Sequence, residues 1–225
     1  MFLFIAFASA SEPVTRTLPA AIPALHIENP AGNVVIAHDA VATETVVTAT
    51  PVYWPEGCAL DFSGDMSLAR IAVVREGGRE GLCTTDLLVV LAGDASVAVD
   101  QRRGYVEAAG MRGSLSVELG AGRIRLNDVR GPVDVEVALG GAKMVWTEEY
   151  GGSVAARVKL GRVRAEVPYG TWLNHDVKAL VRRNPIPEGL DGTDALVARG
   201  TVVRVDTAKS AVSSSALASR NSAGF

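Results

Sequence analysis

Five basic residues recur at matched positions along this chain. Arg123 and Arg125 flank Ile124, Lys143 precedes Met144, and Arg162 and Arg164 flank Val163. The three segments follow one another at intervals near twenty residues, each just after a Leu-Gly step. Side chains two apart on a strand share a face. Aligning the Leu-Gly steps stacks Arg123, Lys143 and Arg162 in one row and brings Arg125 near Arg164. Such a stripe could track a polyanion, such as an acidic glycan or lipid headgroups, because neighbouring cations concentrate anionic partners. The competing reading is a solvated face whose charges discourage edge pairing.

Carboxylates offer less. Asp134 and Glu136 are two apart and share a face, the arrangement a polysaccharide-cleaving acid and base would need. The same alignment places Ser114, Ser116, Ala155 and Arg157 beside them and stacks Ser116 with Glu136 and Arg157, so no acidic cluster is expected. Asp61 and Asp65 bracket a short Gly-containing loop that lacks the later ligands of a calcium-binding loop. His26, His38 and His175 share no ligand spacing, and no CxxC motif occurs. There is no nucleophile elbow, P-loop or dinucleotide fingerprint. The expectation is a protein with no enzymatic activity, no metal and no cofactor.

The elements that hold these residues are strands. Hydrophobic residues make up 48% of the 225 and aromatics 5%, so the core must be aliphatic. Apolar residues alternate through Leu87–Leu91, Leu115–Leu119, Val133–Val137 and Val154–Leu160, the period of a strand rather than a helix. A Leu-Gly or Leu-Ala-Gly step returns at Leu91, Leu119, Leu139 and Leu160, the last three 20 and 21 residues apart. That period is the mark of a repeat array whose units bury their apolar rows against neighbours. The expected fold is all-β: a single-domain β-solenoid, resembling a parallel β-helix, with coils of about twenty residues. An antiparallel β-sandwich built from the same short strands is the alternative.

Residues 1–10 read as a signal peptide, an apolar run ending in Ala8-Ser9-Ala10. Residues 11–24 form a Pro/Ala-rich lead-in, 25–205 the solenoid domain, and 206–225 a Ser/Ala-rich tail expected to be disordered. The apolar run is too short to span a bilayer. Cys58 and Cys83, one even pair outside the array, suggest a disulfide and an oxidising compartment. Trp146 falls at an inward position, while Trp172 and Leu173 could cap the stack. A net charge of −3 argues against nucleic-acid binding, which needs a basic excess.

The Gly-x-Val/Ile-x-Leu/Val units, together with Asn29-Pro30-Ala31-Gly32-Asn33-Val34-Val35-Ile36, resemble the bacterial putative adhesin domains of unknown function, including the auto-transporter-adhesin-like group. The resemblance spans about Leu25 to Gly170 and implies an exported, non-enzymatic β-solenoid in the periplasm or on the cell surface. It transfers no site residues. Envelope proteins, anionic glycans or anionic lipids are the partners it leaves open. A polysaccharide-active β-helix enzyme and a purely structural spacer are the alternatives.

Overall fold

In the computed structural model, residues 12–19, 22–65, 67–75, 83–147 and 153–168 are described in full, and 174–183 and 195–208 by their backbone. The signal peptide, the Trp172-Leu173 cap and the tail beyond 208 lie outside the described residues. Twelve strands and no helix make up the described structure: β1 Val14–Pro19, β2 Ala24–His38, β3 Glu44–Tyr53, β4 Cys58–Gly64, β5 Ala69–Arg75, β6 Thr84–Leu91, β7 Ser96–Ala109, β8 Leu115–Asn127, β9 Val133–Val145, β10 Ser153–Pro168, β11 Asn174–Arg183 and β12 Ala195–Ala208. All belong to one mixed hydrogen-bonded sheet, ordered β1-β3-β6-β2-β7-β8-β9-β10-β12-β11, with the β4–β5 hairpin joined to β2.

From β2 through β11 this order is parallel. Antiparallel pairing is confined to β1–β3, β3–β6 and β4–β5 at the N-terminal side. An antiparallel sandwich does not describe this pairing. The parallel strands are long, and residues 110–114 and 128–132 alone join β7 to β8 and β8 to β9. A straight strand of thirteen residues runs about 40 Å, while five linking residues reach only about 20 Å. Each of these strands must therefore double back on itself.

The burial pattern locates the bend. In β8, Leu115, Val117 and Leu119 are buried, then Ile124 and Leu126. The buried positions change from odd to even across residues 120–123, so both halves can face one core only if the strand turns there. Gly122 sits at the turn with φ +146°. Its register partners are Gly104 and Gly140, and the column continues to Gly32 and Gly161. All five have φ between +120° and +146°, a region that L side chains rarely adopt. A Cβ on Gly122 would also fall on the carbonyl oxygen of Gly104, far inside van der Waals contact. The corners thus stack backbone on backbone.

The true repeat follows this column. Gly104, Gly122, Gly140 and Gly161 lie 18, 18 and 21 residues apart. The corner that precedes Gly122 in this array is Gln101–Gly104, not the Leu91-Ala92-Gly93 step that the sequence pattern suggests. Leu91 instead ends β6.

One apolar cluster takes side chains from both halves of β2 and of β7 to β10. Trp146 is buried, as its inward position predicts, and its indole Nε1–H donates to the Val129 carbonyl at 2.8 Å. Asn29 and Gln101, partners in register, are the buried polar side chains at the corner. Asn29 Nδ2 donates to the Thr85 carbonyl at 2.9 Å, and Gln101 Nε2 donates to the Gly32 and Arg103 carbonyls. These amides satisfy carbonyls that the turn takes out of the ladder.

Cys58, at the start of the β4–β5 hairpin, is disulfide-bonded to Cys83, just before β6. The bond ties the hairpin beside the first half of β2 to the strand beside its second half. Its reduction is expected to lower unfolding free energy by about 3 kcal/mol through the freed loop. Denaturant midpoints with and without reductant measure this, and an unchanged midpoint would show that the staple contributes nothing.

Candidate functional site

Doubling back gives β2 and β7 to β10 two outward faces, one before the corner and one after. The first face carries a row the sequence alignment missed: Glu28, Asp100, Glu118 and Glu136 are successive register partners, and Arg157 follows Glu136. The Leu-Gly alignment was two residues out between β8 and β9. Ser116 pairs with Asp134, not with Glu136, and Glu118 pairs with Glu136. The reason is that Leu119 points into the core while Leu139 points out, 57% exposed. Identical letters beside a Gly occupy opposite sides of the sheet. Aligning the corner glycines instead would have revealed the acidic row.

Three of these four carboxylates, Glu28, Asp100 and Glu136, are already engaged, and Glu118 is exposed. Arg70 Nε and Nη2 donate to the two oxygens of Glu28 at 2.7 Å each, and His26 Nε2 lies 2.8 Å from Asp100 Oδ2. Lys159 Nζ lies 2.9 Å from Glu136 Oε1, and Arg157 Nη1 donates to Asp134 at 2.7 Å. The hydrogen bonds from Arg70 hold the Glu28 carboxyl below the usual range, against a smaller opposing effect of burial. The hydrogen bond and charge of Lys159 do the same for Glu136. Both shifts run opposite to what a proton donor near neutral pH requires. Asp65 accepts from the Ser67 and Leu68 backbone N–H groups and closes the β4–β5 turn. Asp61 meets Ser63 and Arg70, so neither aspartate is held open for calcium. Among the described residues no group of three or more His, Cys, Asp or Glu side chains could hold a metal ion.

The second face is basic, but its rows are composed differently from the expectation. Arg125, Lys143 and Arg164 are successive partners, and Arg123 and Arg162 flank Gly141. Lys143 therefore stacks with Arg125 and Arg164, not with Arg123 and Arg162. By backbone register the first row continues through Arg204 of β12 and Arg183 of β11. Like charges at ladder spacing repel, and acids relieve part of this. Glu166 Oε1 lies 3.3 Å from Lys143 Nζ and 2.8 Å from Arg164 Nε, and Glu107 lies 3.9 Å from Arg125. Tyr105 donates to Glu107 at 3.0 Å, and its phenol is raised by burial and by that carboxylate.

Arg123 and Arg162 differ. Both are exposed, and among the described residues neither has an ion pair or hydrogen bond through its side chain. Gly141 between them presents no side chain, and a Cβ there would come within 3.5 Å of the Arg162 side-chain stem. The result is a notch of about 720 Å³ walled by Arg123, Lys143, Arg162 and Arg164 and floored by Gly140, Gly141 and Gly161. Guanidinium groups lining an open floor suit phosphate, sulfate or carboxylate groups.

No protein-family model matches this sequence, and no curated relative does. Solved structures do align with it. A protein described as a putative cell adhesion protein from Clostridium sporogenes aligns over 88% of this chain and 99% of its own, with a TM-score of 0.50 and 7% identity. The likeness is one of fold alone. A putative lipid binding protein from Parabacteroides distasonis aligns over 85% and 96% at 11% identity and a TM-score of 0.33. A putative adhesin from Bacteroides fragilis aligns over 88% and 97% at 7% and 0.29. The all-β architecture agrees with the expectation from sequence, and the solved neighbours include bacterial adhesin-like proteins.

Proposed function

We propose that the doubled-back strands stack as a β-solenoid and that this chain is an exported, non-catalytic binding module of the bacterial envelope, adhesin-like in fold. Its basic second face, Arg123, Arg125, Lys143, Arg162 and Arg164, engages an anionic envelope component. The observation that carries this reading is the notch at Gly141, where Arg123 and Arg162 stand without counter-charges among the described residues while the neighbouring cations are partly neutralised. The disulfide supports an oxidising compartment. The low carboxyl pKa values on the first face support binding over glycoside hydrolysis.

The test is the affinity of the purified chain for dextran sulfate as a function of salt. Arg123→Gln with Arg162→Gln is expected to weaken binding at least tenfold and to reduce its salt dependence, since each cation contributes about 1 kcal/mol beside a dense anion. Affinity within twofold of the unaltered chain would overturn the assignment of the notch.

A further inference from the structure

The corner itself presents a second surface beside the notch. In register, the residue before each corner glycine is Arg103, Ala121, Leu139 and Leu160 in successive strands β7 to β10. Leu139 and Leu160 are adjacent partners and are 57% and 62% exposed, outside the buried apolar cluster. Two leucines side by side on a ridge gain nothing from water. Cations border them on each side: Arg123 and Arg162 on the second face and Lys159 on the first, with Arg102 and Arg103 two corners along, on β7. The nearest acid on the first face, Glu136, is bound to Lys159. On the second face the acids Glu107 and Glu166 lie beyond Arg125, Lys143 and Arg164, farther from the ridge.

We infer that the Leu139–Leu160 ridge docks on an anionic lipid surface, the leucines entering the headgroup boundary while Arg123, Arg162 and Lys159 meet lipid phosphates. An apolar line flanked by basic side chains is the pattern of proteins that lie on a membrane. A soluble polyanion would use the arginines but give the leucines no partner. The inference rests on the anion-binding reading above and specifies its partner.

The experiment is co-sedimentation of the full chain with phosphatidylcholine vesicles and with vesicles of phosphatidylcholine and phosphatidylglycerol in roughly equal parts, alongside dextran sulfate in solution. Binding to the anionic vesicles and not to the neutral ones is expected. Leu139→Gln with Leu160→Gln should weaken vesicle binding at least tenfold, for two side chains withheld from the lipid boundary, and leave dextran sulfate affinity unchanged. An unchanged denaturant midpoint shows that this variant is folded. If the leucine variant binds vesicles like the unaltered chain, or if the unaltered chain binds dextran sulfate but no vesicles, the membrane inference falls and the polyanion reading stands. If it binds neither, both fall.

Discussion

Gly122→Ala is expected to destabilise the protein by more than about 4 kcal/mol, enough to prevent folding in many single-domain proteins. Two effects combine. An alanine at φ +146° is strained by about 1–3 kcal/mol. Its Cβ also meets the Gly104 carbonyl on the adjacent strand, which is backbone within a ladder and cannot rotate away. Gly110→Ala separates the two. Gly110 has φ +67°, but a Cβ there would make only ordinary contact, 3.9 Å from the His38 Cβ. Its cost should be about 1–2 kcal/mol, the left-handed penalty alone. Chemical denaturation of the two variants, or soluble yield where Gly122→Ala does not fold, gives the comparison. Similar costs at both sites would show that the corners are not stacked backbone to backbone.

The second large effect separates two leucines with the same local sequence. Leu119→Ala should cost about 2–5 kcal/mol, because Leu119 is fully enclosed and its removal leaves a cavity in the shared cluster. Leu139→Ala should stay within about 0.5 kcal/mol, as for an exposed side chain. Both precede a Gly. The contrast in unfolding free energy reads the register directly, and equal losses would contradict the pairing of Leu119 with Val137 and of Leu139 with Ala121.

That contrast also marks the limit of what the sequence discloses. Alternation within each half-strand is legible because one side is buried and the other wet, so Leu115, Val117 and Ile124 announce themselves. The bends are legible as glycines. The phase across a bend is not, because the alternation resets there. Leu119 stands three residues before its corner glycine and Leu139 stands one before. Linking segments of unequal length then change the interval from 18 to 21, so that counting from Leu-Gly steps joins residues that are not partners. The five basic residues were found on one face because Arg-Ile-Arg and Arg-Val-Arg keep their alternation. Their division into two rows, the Gly141 notch and the acidic row opposite depend on register across strands. The leucine ridge is illegible for a different reason: exposed and buried leucines carry the same letter, and only the turn decides which is which.

Two lysines lie on opposite faces of the corner and give the most direct test of the anion-binding face. Lys143 walls the notch, while Lys159 pairs with Glu136 on the acidic side. Acetylation of amines, quantified at each lysine by mass spectrometry with and without dextran sulfate, reports which face the polyanion covers. The account expects Lys143 to be protected and Lys159 to keep most of its reactivity. Protection of Lys159 alone, or of neither lysine under conditions where dextran sulfate is bound, would contradict it.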